Sequence, residues 1–203
     1  MTDTAAPETG GGDASVPRAD SRREAVAAAA AELFAQKGYD GVSMRDIARA
    51  AGMLSGSIYY HFPSKDDLFA EVHARAIERI TARVETAVAG VADPWERLEA
   101  ALRAHVEGLL ESGEAATVLS ADLPSHRKDL AAVLVAQRDR YEARLRGLIE
   151  AAPLREGVDA RLFRLFLLGA ANWMPVWFRP GGTHDPGAIA GALAEVLGRG
   201  ARP

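Results

Sequence analysis

The sequence predicts an all-α protein in which an N-terminal three-helix unit is followed by a larger helical body, about nine helices in 203 residues. Three observations predict it. Alanine is abundant and β-branched residues are few, which favours helix. Apolar residues recur at helical spacing, and no segment alternates strictly with period two. Helix-start signals punctuate the chain at regular intervals.

The elements follow in order. Residues 1–17 carry almost no large apolar group and are expected to form a disordered tail. A first helix starts near Ala19 or Asp20, carries Val26, Ala29, Ala30, Leu33 and Phe34 inward, and closes at Lys37-Gly38. Ser43 to Asp46 reads as a capping box opening a second helix, which Ala51-Gly52 ends. Ser55 is the expected cap of a third helix, Gly56 to His61. Ser64 to Asp67 is a second capping-box pattern and opens a long helix reaching Val88 or beyond. Asp93-Pro94 starts a helix to about Ser112, and a shorter one is expected over Glu114 to Asp122. Further helices are expected from about His126 to Ala151, from Val158 to Phe178 and from Pro186 to Gly198. Pro175, inside the second of these, predicts a kink because it has no N–H and crowds the Ala171 carbonyl.

Composition excludes several functions. With no cysteine there are no disulfides, no thiolate catalysis and no cysteine zinc site. A membrane span needs about 17–25 apolar residues. The longest uncharged apolar stretch, Leu165 to Phe178, has 14. No export signal is read, so a cytoplasmic location and no membrane partner are expected. The five histidines form no H-E-x-x-H, and Gly10 to Gly12 follows no strand, so no enzyme, metal or cofactor is expected. The net charge of −4 argues weakly against nucleic acid. That charge is unevenly placed. Asp3, Glu8 and Asp13 put −3 in the tail, whereas residues 41–65 carry Arg45, Arg49 and Lys65 against Asp46, a local +2.

Two short helices joined by a tight glycine turn make a helix-turn-helix candidate. Ile58 and Phe62, at i and i+4, would anchor the third helix, leaving Ser57, Tyr60 and His61 on its opposite side. Ser43 and Arg45 stand at the start of the preceding helix, where backbone N–H, hydroxyl and guanidinium suit a phosphate. Taken singly, Tyr59 could equally be a core aromatic and His61 a packing residue. Arg18, Arg22 and Arg23 read either as an arm beside a groove or as a solvated helix start.

The run "VSMRDIARAAGMLSGSIYYHFPSKDDLF", with "AAAELFAQKGYDG" before it, resembles the DNA-binding domain of TetR-family transcriptional regulators over roughly residues 20–80. The resemblance implies that Ser43, Arg45 and Lys65 bind phosphates. It implies that Ser55, Ser57, Tyr59, Tyr60 and His61 touch backbone or base edges, and that Gly56 lets the helix come close to DNA. It also implies that residues 81–203 dimerise and hold a small effector. The partners expected are a near-palindromic double-stranded operator, a second copy of the chain and an effector.

The apolar helix of the body bears on that second role. Phe166, Gly169, Ala170, Trp173 and Trp177 share one face, and Leu165, Leu168, Asn172 and Val176 another. One face would serve a partner subunit and the other a pocket, without the pattern saying which. Phe166, Asn172, Trp173 and Trp177 are the candidate ligand-binding residues. An interhelical hydrogen bond is the structural alternative for Asn172, and core or interface packing for the tryptophans. "NWMPVWFRPGG" and "AGMLSGSIYYHF" are similar to TetR-family repressors of lipid and steroid breakdown that sense acyl-CoA thioesters. That would set an acyl chain among the central helices, with Arg127, Arg138 or Arg161 near its phosphates. The competing readings are a same-fold regulator of drug efflux sensing a cationic or aromatic compound, and a helical small-molecule-binding protein without DNA function.

Overall fold

The computed structural model describes residues 19–111 and 127–203. The expected tail, Arg18 and the expected helix over Glu114 to Asp122 lie outside the described residues. Among the described residues there are eight helices: α1 (Ala19–Lys37), α2 (Met44–Ala50), α3 (Ile58–His61), α4 (Lys65–Val88), α5 (Pro94–Glu111), α6 (Lys128–Ala151), α7 (Ala160–Trp177) and α8 (Pro186–Ala201). There is no strand among the described residues.

Local chemistry sets most of the boundaries. Gly38 takes the left-handed conformation, φ 68°, that ends α1, and its N–H reaches the Phe34 carbonyl at 2.9 Å. At α2 the capping box forms in full: the Asp46 N–H donates to Ser43 Oγ and the Ser43 N–H to Asp46 Oδ2. Gly52, φ 66°, closes the turn after it, with the Met53 N–H on the Ala48 carbonyl at 2.8 Å. Ser64 caps α4 through the Asp67 N–H, and its own hydroxyl donates to the Asp67 carboxylate. Asp93, Asp159 and Asp185 each accept N–H groups from the first turns of α5, α7 and α8.

Two expectations, on the third and the last helix, are corrected. The third helix is shorter than Gly56 to His61, and its N-cap is Ser57 rather than Ser55. Ser57 has a helical backbone and makes no side-chain cap bond, because a hydrogen-bonded turn from Leu54 leads straight into α3. Pro175 lies inside α7, in its last turn, and the helix continues to Trp177 as expected. The last helix runs past Gly198 to Ala201, since Gly198 is buried against Trp95 and Arg202. Tertiary packing there overrides glycine's poor helix propensity.

The buried side chains form two clusters. One gathers α1, α2, α3 and the first half of α4, with Phe34, Tyr39 and Phe69 in mutual ring contact at its centre. Leu130 and Leu134 from the start of α6 complete it. The other gathers the rest of α4 and α6 with α5, α7 and α8. So α4 gives Leu68, Phe69 and Val72 to the first cluster and Ala76, Ile77, Ile80, Val84 and Val88 to the second.

Candidate functional site

The helix-turn-helix presents a polar outer face on a firmly held base. Ile58 and Phe62 are fully buried, so the two turns around them are pinned from below. From α1, Arg23 donates to the His61 carbonyl at 3.0 Å, lies 4.4 Å over the Phe62 ring and pairs with Glu71 of α4 at 3.0 Å. It therefore works as a clamp on the end of α3, neither an arm nor a solvated helix start. Ser55, Gly56, Ser57, Tyr59 and Tyr60 all face solvent. Tyr59 is 53% and Tyr60 86% exposed, which excludes the core-aromatic alternative. His61 is half-buried, edge-on to Tyr60. A Cβ on Gly56 would meet nothing within 4 Å, so no packing within the chain calls for glycine there.

At the head of α2, Ser43 and Arg45 are exposed. The Ser43 hydroxyl is engaged at 2.5 Å by Asp46, whose carboxyl these Ser43 bonds hold below the usual range. Among the described residues no carboxylate pairs with Arg45. Lys65 is engaged within the chain. Its ammonium donates to the Tyr39 and Val42 carbonyls at 2.9 and 3.0 Å and sits 4.1 Å over the Tyr39 ring. Burial lowers its pKa. Two of its three N–H donors thus fasten the α1–α2 loop to the start of α4.

Beside Lys65 lies a cluster with no local sequence signature. The Tyr39 hydroxyl donates to Asp66, and Arg127, just before α6, reaches the same carboxylate oxygen at 2.5 Å while lying 4.9 Å from the Tyr39 ring. Partial burial works against the Asp66 charge, yet the hydrogen bonds from Tyr39 and Arg127 hold its carboxyl below the usual range. Burial, then the bond to Asp66, pushes the Tyr39 phenol up. Arg127 is thereby committed to α4 and stands apart from the cavity described next.

That cavity, of about 140 Å³, lies among α4, α5, α6 and α7. Its walls are mostly apolar, from Ile77, Ile80, Leu109, Leu145, Leu168 and Pro175. Its polar end is a three-residue relay. His105, 3% exposed, stands 2.7 Å from the Tyr141 hydroxyl through Nδ1 and 3.0 Å from Asn172 Oδ1 through Nε2. An amide oxygen only accepts, so Nε2 carries the proton and Nδ1 accepts from the phenol. Burial pushes the imidazole down to about 4, so it is neutral at pH 7. Arg138 and Glu142 stand at the cavity, 3.8 Å apart.

Of the four candidate ligand residues only Asn172 lines this cavity. Phe166 and Trp173, both 63% exposed, and Trp177, 49% exposed, point outward. Leu165 and Val176 also lie outside, so they do not share a face with Leu168 as expected. The inward side of α7 is Phe163, Leu167, Leu168, Ala171 and Met174. Sequence reasoning missed His105 and Tyr141, which are 36 residues apart and carry no spacing signal. Among the described residues no group of three or more His, Asp or Glu side chains could hold a metal, and no helix is long and apolar enough to cross a membrane.

Known proteins match along most of this chain. Residues 26–72 match the family "Bacterial regulatory proteins, tetR family", and residues 91–201 match "Tetracyclin repressor-like, C-terminal domain". The HTH-type transcriptional repressor KstR2 of Mycobacterium tuberculosis is 32% identical over 189 residues, covering 88% of this chain and 92% of that protein. Among solved structures, the TetR-family regulator PfmR from Thermus thermophilus superposes with a TM-score of 0.75 at 31% identity, over 88% of this chain and 96% of its own. AibR in complex with isovaleryl coenzyme A and operator DNA superposes with a TM-score of 0.74 at 26% identity, over 87% and 97%. The helix-turn-helix head, the helical body and these matches along nearly the whole chain agree: the protein belongs to the TetR family of bacterial regulatory proteins.

Proposed function

We propose that this chain is a transcriptional repressor that binds a near-palindromic operator as a homodimer and is released by a small hydrophobic effector, an acyl-CoA thioester. The head is residues 20–80 and the sensing body residues 81–203. The observation that carries the DNA-binding part is the exposed polar group of Ser55 and Ser57 in the turn entering α3 and Tyr59 and Tyr60 on α3, held from below by Ile58 and Phe62. Such a helix enters a major groove while Arg45 holds a phosphate and Ser43, whose two donors are on Asp46, sets the start of α2 beside it. The row Leu162, Leu165, Phe166, Trp173, Val176 and Trp177 on α7 supports dimerisation. Large apolar groups left in a continuous exposed row mark an interface. Exposed Gly169 and Ala170 in its middle let a second α7 approach closely.

The KstR2 relative is named a repressor, and the AibR complex holds an acyl-CoA with operator DNA. Both support the same role here. The cavity pairs Arg138 with Glu142 and offers no unpaired acid among its lining residues, which favours this reading over a cationic drug. Release requires that the effector bind better to the conformer whose recognition helices are wrongly spaced. Because α4 and α6 each line the cavity and enter the head, a shift of either is felt at α3.

The test is retention of DNA flanking the protein's own gene in a gel-shift assay, and its loss on adding micromolar acyl-CoA. Indifference to that DNA at all salt concentrations would instead favour a binding protein without DNA function. Tyr60→Ala is expected to weaken operator binding at least tenfold. Unfolding free energy should stay within about 0.5 kcal/mol, since the side chain is exposed. Full operator affinity in that variant removes Tyr60 from the interface. Lys65→Ala is expected to cost about 1–2 kcal/mol of stability through its two carbonyl bonds. If its third donor meets a phosphate, the slope of log affinity against log salt also falls by about one. An unchanged slope with lower stability leaves Lys65 a fastening residue alone.

A further inference from the structure

We infer that the cavity takes the acyl end of a compact thioester, about six carbons or fewer, with its carbonyl accepting from the Asn172 side-chain amide and its phosphate-bearing handle in the adjoining α4–α6 cleft. The inference rests on the acyl-thioester reading above and deepens it by naming the size, the anchor and the path of the ligand.

Size comes first. An apolar protein cavity of about 150 Å³ holds benzene, and this one is about 140 Å³. A short branched acyl group fits that volume, whereas a four-ring steroid nucleus does not. The chain is thus separated from the ketosteroid regulator that it resembles in sequence and fold.

The anchor follows from hydrogen-bond roles. Asn172 Oδ1 accepts from His105 Nε2–H, so the amide fork is fixed and its NH₂ points away from the imidazole. That NH₂ has no protein partner among the described residues, on a side chain that lines the cavity. His105 is locked in turn by the Tyr141 hydroxyl. Its imidazole stays neutral because it is buried, which keeps Nε2 a donor and Asn172 in one orientation. Asn172 is itself exposed, so this oriented N–H stands at the open mouth of the apolar slot, where a carbonyl oxygen can replace water as its partner and a ligand lacking one cannot. His105 and Tyr141 are positioning residues.

The path is given by shared walls. A cleft of about 570 Å³ between α4 and α6 shares Ile77 and Tyr141 with the cavity, and Arg140 and Arg144 flank it. Arg144 pairs with Glu85 at 3.0 Å, both side chains about three-fifths exposed. An exposed pair of this kind is weakly held, so a phosphate can replace Glu85 as the partner of the guanidinium.

The experiment is calorimetric titration of the full chain with a series of acyl-CoA thioesters, from propionyl through isovaleryl to palmitoyl, together with a steroid-acid thioester. Added to these is S-isopentyl-CoA, the thioether in which CH₂ replaces the carbonyl of isovaleryl-CoA. Affinity is expected to peak near isovaleryl, and palmitoyl and steroid thioesters to bind at least tenfold more weakly. The thioether should also bind at least tenfold more weakly than isovaleryl-CoA, and Asn172→Leu should abolish that difference. Affinity that keeps rising to palmitoyl, or is highest for the steroid thioester, overturns the size inference while leaving the acyl-thioester reading in place. Equal binding of thioester and thioether by the wild type overturns the carbonyl anchor, a result independent of how Asn172→Leu folds. A folded Asn172→Leu that keeps the full discrimination overturns it as well. Silence across the whole series overturns the acyl-thioester reading and this inference with it.

Discussion

Phe34→Ala is expected to lower the unfolding free energy by about 3–5 kcal/mol and to abolish operator binding at 37 °C. Phe34 is 1% exposed and packs edge-on against Phe69 at 4.9 Å and parallel to Tyr39 at 5.9 Å. Its removal opens a hole in the smaller cluster, whose helices are short: α2 has 7 residues and α3 has 4. Helices of that length are not stable by themselves and hold their shape through packing. A loss of this size is a large fraction of the 5–15 kcal/mol that keeps a typical domain folded. Phe34→Leu should cost much less because most of the volume remains. Urea unfolding followed by circular dichroism measures both. A cost under about 1 kcal/mol for Phe34→Ala would mean that the ring cluster does not hold the head together.

Acidification is the second large effect. The imidazole of His105 titrates near 4 in the folded protein against 6.5 for an exposed histidine. Between those values the unfolded chain binds a proton that the folded one refuses, so stability falls as pH falls. The contribution is complete above pH 6.5 and is lost progressively down to about 4. At 1.36 kcal/mol per pH unit the loss is roughly 3 kcal/mol. His73, 3% exposed and 2.6 Å from Gln137, is also lowered by burial and adds to the same window. Asp66 and Glu71 act below it, because their carboxyls are held under 3.8 and 4.5 by the groups they accept from. Unfolding at pH 7 and at pH 4.5, compared between the wild type and His105→Gln, isolates the term. The variant should show a distinctly flatter profile, and equal slopes would place the pH dependence elsewhere. The same neutrality keeps Asn172 oriented at any pH from 5.5 to 8, so effector affinity should not titrate near 6.5.

The head was almost entirely readable because its signals are local. Ser43 with Asp46, Gly38, Gly52, and Ile58 with Phe62 each act within five residues, and each sits where its chemistry requires. Long-range contacts had no such trace. Arg23 reaches His61 across 38 residues, and Arg127 reaches Asp66 across 61. Read along the chain, both arginines look like ordinary surface charge. Lys65 shows the limit of assigning a role by position, since carbonyls of the α1–α2 loop compete for the same ammonium. In α7 the difficulty was different. A helix apolar nearly all round has no polar side to orient it, so the pattern could not distinguish the buried Leu168 side, which meets the cavity, from the Phe166–Trp173–Trp177 side, which meets solvent, or place the exposed Asn172 at the boundary between them. Only the packing of α5, α6 and α8 against α7 decides that.

Two helices thread both clusters, and this bears on how the chain comes apart. Leu130 and Leu134 of α6 are buried in the head, and α4 passes from one cluster into the other without a break. Neither cluster can lose its order while the other keeps every wall. Melting is therefore expected as a single cooperative step, the same midpoint being reported by tryptophan fluorescence, which samples the body, and by hydrogen exchange at Ile58 and Phe62, which samples the head. An excised fragment ending near residue 80 would keep its recognition helix in sequence but lack the two leucines that seal it, and would not fold autonomously.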